Sequence, residues 1–258
     1  MKVVILAGGL GTRISEETGI KPKPMVEIGS EPILWHIMKY YSTYGFNDFI
    51  ICAGYKQNII KDYFVSYLRN HIDIEVNLNK NTVNILNDHR EKWNVKVIDT
   101  GYLTMTGGRI KRIEKYIEEE DNFMLTYGDG LSNVNLKELV ISHNKSKKFL
   151  TISAVQPKGR FGVLSIKNNE VLNFTEKPPG DAMWINGGFY VMNRQIFDYI
   201  KGDETVWEEE PMKKLVNDRH VNAYEHTGFW KPMDTMTDKR QLEEIWNSGS
   251  APWKIWED

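Results

Sequence analysis

MKVVILAGGLGTR, residues 1–13, decides how the rest of the chain is read. A short apolar run, Val3 to Ala7, stops in three glycines, a threonine and an arginine. An uninterrupted apolar run of this length reads as a buried strand over 2–7. The stretch at its end, Leu6-Ala7-Gly8-Gly9-Leu10-Gly11-Thr12-Arg13, lets backbone N–H groups approach an anion with no Cβ in the way. A tight turn after a first strand would use the same glycines, and this stretch alone does not separate the two uses. The loop does not match GxxxxGK[ST], since it contains no Lys-Ser or Lys-Thr. It does not match GxGxxG either, because Ile14 stands where the third glycine would fall.

Outward from the loop, strand and helix patterns alternate. Residues 32–44 carry Ile33, Ile37, Met38 and Tyr41 on one helical face, with Ser30 as a cap candidate and Gly45 at the end. Residues 49–53 form a second apolar run, and 58–68 a second helix pattern with Ile59, Ile60, Tyr63, Phe64 and Tyr67. This order predicts a parallel sheet of βαβ units. The period then changes: Ile72, Ile74, Val76 and Leu78 alternate with polar residues, Asn79-Lys80-Asn81 marks a turn, and Val83 and Ile85 alternate again. That is a hairpin excursion with one apolar face. Strands over 95–98, 122–127 and 150–155, with a helix over 136–143, restore the first pattern. The second half is mixed, with short strands near 162–166, 171–174 and 188–192 and helices near 195–200, 211–217 and 239–246. The fold class expected is α/β: one continuous domain over 1–258, a Rossmann-like, mostly parallel mixed sheet flanked by helices.

Composition narrows the function. Lys plus Arg number 33 against 35 Asp plus Glu, a net charge of −2, so no basic field marks a nucleic-acid binder. The single cysteine, Cys52, lies in an apolar run and reads as a buried structural residue. No window approaches the ~20 apolar residues that cross a membrane. No apolar leader stands at the N-terminus, so the cytoplasm is the expected location.

Chemistry is expected at the carboxyl ends of the strands. Lys23 sits between two prolines in Lys21-Pro22-Lys23-Pro24, which stiffens its backbone. Tyr127-Gly128-Asp129-Gly130 ends a strand pattern. Asp-Gly is a hairpin signature, yet a helix pattern comes next, and an aspartate opposite a phosphate loop suits Mg²⁺. Asp234 closes a second aromatic, proline-braced segment, Phe229-Trp230-Lys231-Pro232-Met233-Asp234. Glu176-Lys177-Pro178, and the Asn186-Gly187-Gly188 turn after Trp184-Ile185, offer grips for a small polar ligand.

Taken in order, LAGGLGTR…KPKPM, YGDG, EKP, INGGF and PMDT resemble the sugar-1-phosphate nucleotidyltransferases over nearly the whole chain. DTGYLTMTGGRIKR, WINGGFYVMN, WEEEPM and APWKIWE bring the resemblance nearest to the branch that uses CTP and glucose 1-phosphate. The resemblance implies a Mg²⁺-dependent in-line transfer giving CDP-glucose and pyrophosphate, in a homo-oligomer (tetramer or hexamer) that serves surface-polysaccharide synthesis. It implies a nucleotide cradle of Leu6, Ala7, Gly8, Gly9, Leu10, Gly11, Thr12 and Gly128. Arg13 would hold the β/γ-phosphates and Lys23 the α-phosphate, while Asp129 and Asp234 would share the metal. Lys177 would hold the sugar phosphate, and Glu176, Asn186 and Gly187 would read the hexose. Thr104, Gly107, Gly108 and Arg109 would border the base and ribose, with Arg109 on the acceptor face of cytosine or, alternatively, in solvent at a helix start. Two competitors remain at this point: the same class with another base or sugar, and a silent nucleotide-sugar-binding regulator.

Overall fold

The computed structural model describes residues 1–157, 163–167, 170–175 and 183–257. Seven strands form the central sheet: β1 Val3–Ala7, β2 Asp48–Ala53, β3 Asn94–Asp99, β4 Asn122–Tyr127, β5 Leu150–Val155, β6 Ile185–Asn193 and β7 Val221–His226. Their order across the sheet is β7-β5-β6-β4-β1-β2-β3. β1 runs parallel to both neighbours, β2 and β4; β2 is parallel to β3, and β5 to β7. Of these seven strands, only β6 is antiparallel to the strands beside it.

All five residues of β1 are buried because both faces of the sheet are covered. Val3, Ile5 and Ala7 enter one hydrophobic core and Val4 and Leu6 the other, as a period of two dictates. The flanking helices are α1 Ile33–Thr43, α2 Gln57–Asn70, α3 Thr106–Arg112, α4 Leu136–Ser146, α5 Glu210–Asn217 and α6 Met236–Asn247. Among the described residues no helix is long and apolar enough to cross a membrane. From β1 the chain moves outward to β2 and β3, then returns to β4 on the other side of β1. That reversal opens a crevice beyond the carboxyl ends of β1 and β4, where open α/β sheets bind ligands.

Three local expectations are corrected. Ser30 does not cap α1; it lies in the tight turn between the paired segments Glu27–Ile28 and Glu31–Pro32, entered through Gly29 at φ 67°. Asn186-Gly187-Gly188 is not a turn but part of β6, where the register against β5 shifts and Gly188 adopts φ 77°. α3 begins at Thr106 and ends at Arg112 instead of running over 109–117. Its two glycines let it close on the chain opposite: a Cβ would meet Thr205 O at 2.7 Å from Gly107 and Asp203 O at 2.5 Å from Gly108. The hairpin does carry an apolar face, pairing Ile74 with Ile85 and Val76 with Val83, but all four side chains are at least half exposed. Cys52 is buried in β2, and burial pushes its thiol up to about 12.

Candidate active site

The loop after β1 is shaped by the side chain behind it. Gly8 presses its backbone onto Arg109, where a Cβ would stand 2.2 Å from Nη1. Gly9 has open space instead, with nothing within 4 Å of a Cβ position. Gly11 turns the chain at φ 64°, and its carbonyl accepts the Thr18 hydroxyl at 3.0 Å. A short 3-10 turn, Thr12–Ile14, comes next and carries Arg13. Leu10 points outward, 42% exposed.

Two cavities flank the loop. The first, about 340 Å³, lies between the glycine loop, Lys23-Pro24, Thr104–Thr106 and the end of β4. The second, about 240 Å³, is walled by β6 from Asn186 to Phe189, by Trp230 and by Asp234. They meet at Arg13, Tyr127 and Asp129, which line both. A cleft of this size suits a small ligand held by a few placed polar groups.

Charge converges at that junction. Lys23, only 8% exposed, places Nζ 2.5 Å from Asp129 Oδ2 and 2.9 Å from Asp234 Oδ1. Arg13 Nη2 stands 3.0 Å from the same Asp234 oxygen. A two-stranded ribbon joins the aspartates: Gly130–Ser132 pairs with Trp230–Pro232, and Met233 N–H donates to Asp129 O at 2.8 Å. Asp234 is then fixed from its other side, because Thr235 caps α6 in a reciprocal box with Asp238. Two carboxylates aimed at one point, beside a phosphate-sized cavity, fit a hard divalent cation that takes its remaining oxygens from substrate and water. Among the described residues no three His, Cys, Asp or Glu cluster as a metal site.

Of the two positions the sequence offered Arg109, the structure removes solvent: the side chain lines the first cavity. It is 5% exposed, not in solvent, and its guanidinium donates to protein oxygens. Nη2 reaches Gly8 O at 2.9 Å, while Nη1 reaches Thr100 Oγ1 at 2.9 Å and Gly101 O at 2.7 Å. The side chain thus ties the glycine loop to the chain beyond β2 and β3. Arg109→Met leaves those acceptors without partners, which costs about 2–3 kcal/mol of stability. The same loss should lower kcat/KM for every triphosphate alike; thermal melts and pyrophosphate release across triphosphates check both.

The remaining candidates divide. Thr104 lines the first cavity, whereas Gly107 and Gly108 face the 203–205 backbone. Gly128 packs under Leu6 O and Pro24 at the cavity floor. Asn186 and Gly187 line the second cavity, and Gly187 O accepts Trp230 Nε1 at 2.7 Å. Glu176 and Lys177 lie outside the described residues. Sequence reasoning missed Tyr127 and Trp230 as cavity walls, although both stand within a few residues of an aspartate, in YGDG and FWKPMD.

With this geometry in place, similarity to known proteins is informative. The Nucleotidyl transferase family profile matches residues 2–258. The chain is 50% identical over 257 residues to the glucose-1-phosphate cytidylyltransferases of Salmonella typhimurium and Salmonella typhi, with complete coverage of both chains in each case. Among solved structures, HddC from Yersinia pseudotuberculosis, complexed with GMP-PN, superposes with a TM-score of 0.70 at 27% identity. That match covers 95% of this chain and 99% of the other.

Proposed function

Because the chain belongs to the nucleotidyl transferase family, we propose that it transfers the cytidylyl group of CTP to α-D-glucose 1-phosphate, giving CDP-glucose and pyrophosphate. The observation that carries this reading is the junction of the two cavities at Arg13, Lys23, Asp129 and Asp234. CTP occupies the cavity behind the glycine loop, and the sugar phosphate enters from the cavity along β6. A phosphate oxygen of glucose 1-phosphate attacks the α-phosphorus of CTP in line. The new O–P bond forms as the bond to the β-phosphate bridging oxygen breaks, and pyrophosphate leaves with that electron pair.

No covalent enzyme intermediate is required, so catalysis is positioning and neutralisation of charge. Lys23 meets the α-phosphate, Arg13 the β- and γ-phosphates, and Lys177 the sugar phosphate. Asp129 and Asp234 would hold Mg²⁺, which when bound neutralises phosphate oxygens. A silent regulator has no need of both cations and the acidic pair converging at one point. The half-exposed apolar face of the 72–88 hairpin supports a homo-oligomer.

Base choice is tested by pyrophosphate release with glucose 1-phosphate across the common nucleoside triphosphates. CTP should exceed dTTP and UTP by about tenfold or more in kcat/KM, since a site pairing with one ring edge leaves buried groups unpaired with the other. Equal use of dTTP refutes the cytidylyl assignment and leaves the nucleotidyltransfer reading intact.

A further inference from the structure

Thr106 and Asn186 stand on different cavities, and a continuous run of side-chain hydrogen bonds joins them through Glu208. Thr106, at the start of α3, accepts Trp207 N–H at 2.9 Å and donates its hydroxyl to Glu208 Oε2 at 2.7 Å. Glu208 Oε1 accepts the Tyr127 hydroxyl. The Tyr127 and Tyr190 hydroxyls are 3.1 Å apart, and Tyr190 accepts Asn186 Nδ2 at 2.5 Å. Asn186 Oδ1 takes Gly188 N–H at 2.8 Å, which fixes the amide's orientation. With Tyr127 donating to the carboxylate and Asn186 donating to Tyr190, the Tyr190 proton has one destination, the Tyr127 oxygen. Every donor therefore points toward Glu208, and bonds aligned this way polarise one another.

The surroundings hold the run in place. Tyr190 is fully buried, and the Tyr127 ring lies so close to Gly188 that a Cβ there would come within 2.7 Å of it. Glu208 itself lines neither cavity and is exposed. The transfer chemistry gives it nothing to do, yet it receives both arms.

We propose that Glu208 is a positioning residue whose carboxylate sets both substrate cavities, Thr106 on the nucleotide side and, through Tyr127 and Tyr190, Asn186 on the sugar side. This rests on the assignment of CTP and glucose 1-phosphate to the two cavities. Steady-state pyrophosphate release by the full chain, with each substrate varied in turn and melting temperature measured alongside, tests it. Glu208→Ala should raise both KM values about tenfold and lower kcat by less than about threefold, as loss of hydrogen bonds to a charged group outside the reacting atoms predicts. Glu208→Gln keeps one acceptor oxygen and turns the other into an NH2 donor, so it should restore one arm, with one KM recovering and the other staying raised. Tyr127→Phe cuts only the sugar arm and should raise KM for glucose 1-phosphate about fivefold while KM for CTP stays within about twofold.

Both KM values staying constant in Glu208→Ala, or only kcat and melting temperature falling, would overturn the proposal. So would a Tyr127→Phe protein in which both KM values rise alike. The unmodified protein is assayed first. If it releases no pyrophosphate from any triphosphate with glucose 1-phosphate, the two-substrate assignment fails and this proposal with it. A normal unmodified rate with no split among the variants overturns the proposal alone.

Discussion

Asp129→Asn and Asp234→Asn each lower kcat by about 10²-fold or more, and the double replacement falls little below either single one. Asparagine keeps the size and one acceptor oxygen of aspartate, so the change removes charge more than shape. The two carboxylates lie just beyond the same end of one ribbon, Asp129 before Gly130 and Asp234 after Pro232, and share the Lys23 ammonium between them. They therefore address one point, not two. If one divalent cation is held there, losing either ligand removes most of its benefit, and the second loss has little left to take away. About 10² corresponds to roughly 2.7 kcal/mol, the scale of one transition-state charge stabiliser. The measurement is pyrophosphate release over a Mg²⁺ titration for both single variants and the double. Fully multiplicative losses would show that the aspartates act independently and would sink the shared metal.

How much of the fold and the site was legible in the sequence depends on the range of the interaction involved. β1 is readable because its cause is local: an uninterrupted apolar run can be buried on both faces only in a covered sheet. The bounds of β4 and β5 are readable too, from short, mostly apolar segments. β7 is not readable, since its alternation is broken by Asn222 and Glu225 and its place at the sheet edge is set by pairing with β5. Arg109 is legible only in part. The resemblance sets it beside the base, and it does line the first cavity, but only the fold brings Gly8, Thr100 and Gly101 around its guanidinium. The resemblance sets Gly107 and Gly108 in the segment beside the base and ribose; the 203–205 backbone they close on is distant in sequence and leaves no local signal. The motifs single out Asp129 and Asp234 separately, while the ribbon that joins them is made of segments too short to show a period.

Lys23→Ala should lower kcat by about 10²-fold or more with a smaller change in KM for CTP. The residue is 8% exposed, braced by Pro22 and Pro24, and its charge is matched by two carboxylates. Binding triphosphate brings new negative charge to the same junction, which gives the ammonium a second set of oxygens to hold. As the α-phosphorus passes through its transition state, charge spreads over the equatorial oxygens, and a fixed cation there stabilises that state more than the ground state. An interaction stronger in the transition state appears in kcat; one equal in both appears in KM. Arginine is no substitute, because a planar fork cannot occupy the point where a compact ammonium meets both carboxylates. Lys23→Arg should therefore stay close to the alanine variant. Lys177→Ala supplies the contrast, since a residue that only holds the sugar phosphate should raise KM for glucose 1-phosphate first. Full steady-state kinetics on the three variants decide the matter. Matching patterns for Lys23→Ala and Lys177→Ala would mean that the cation at the junction binds substrate and does not act on the transferring phosphate.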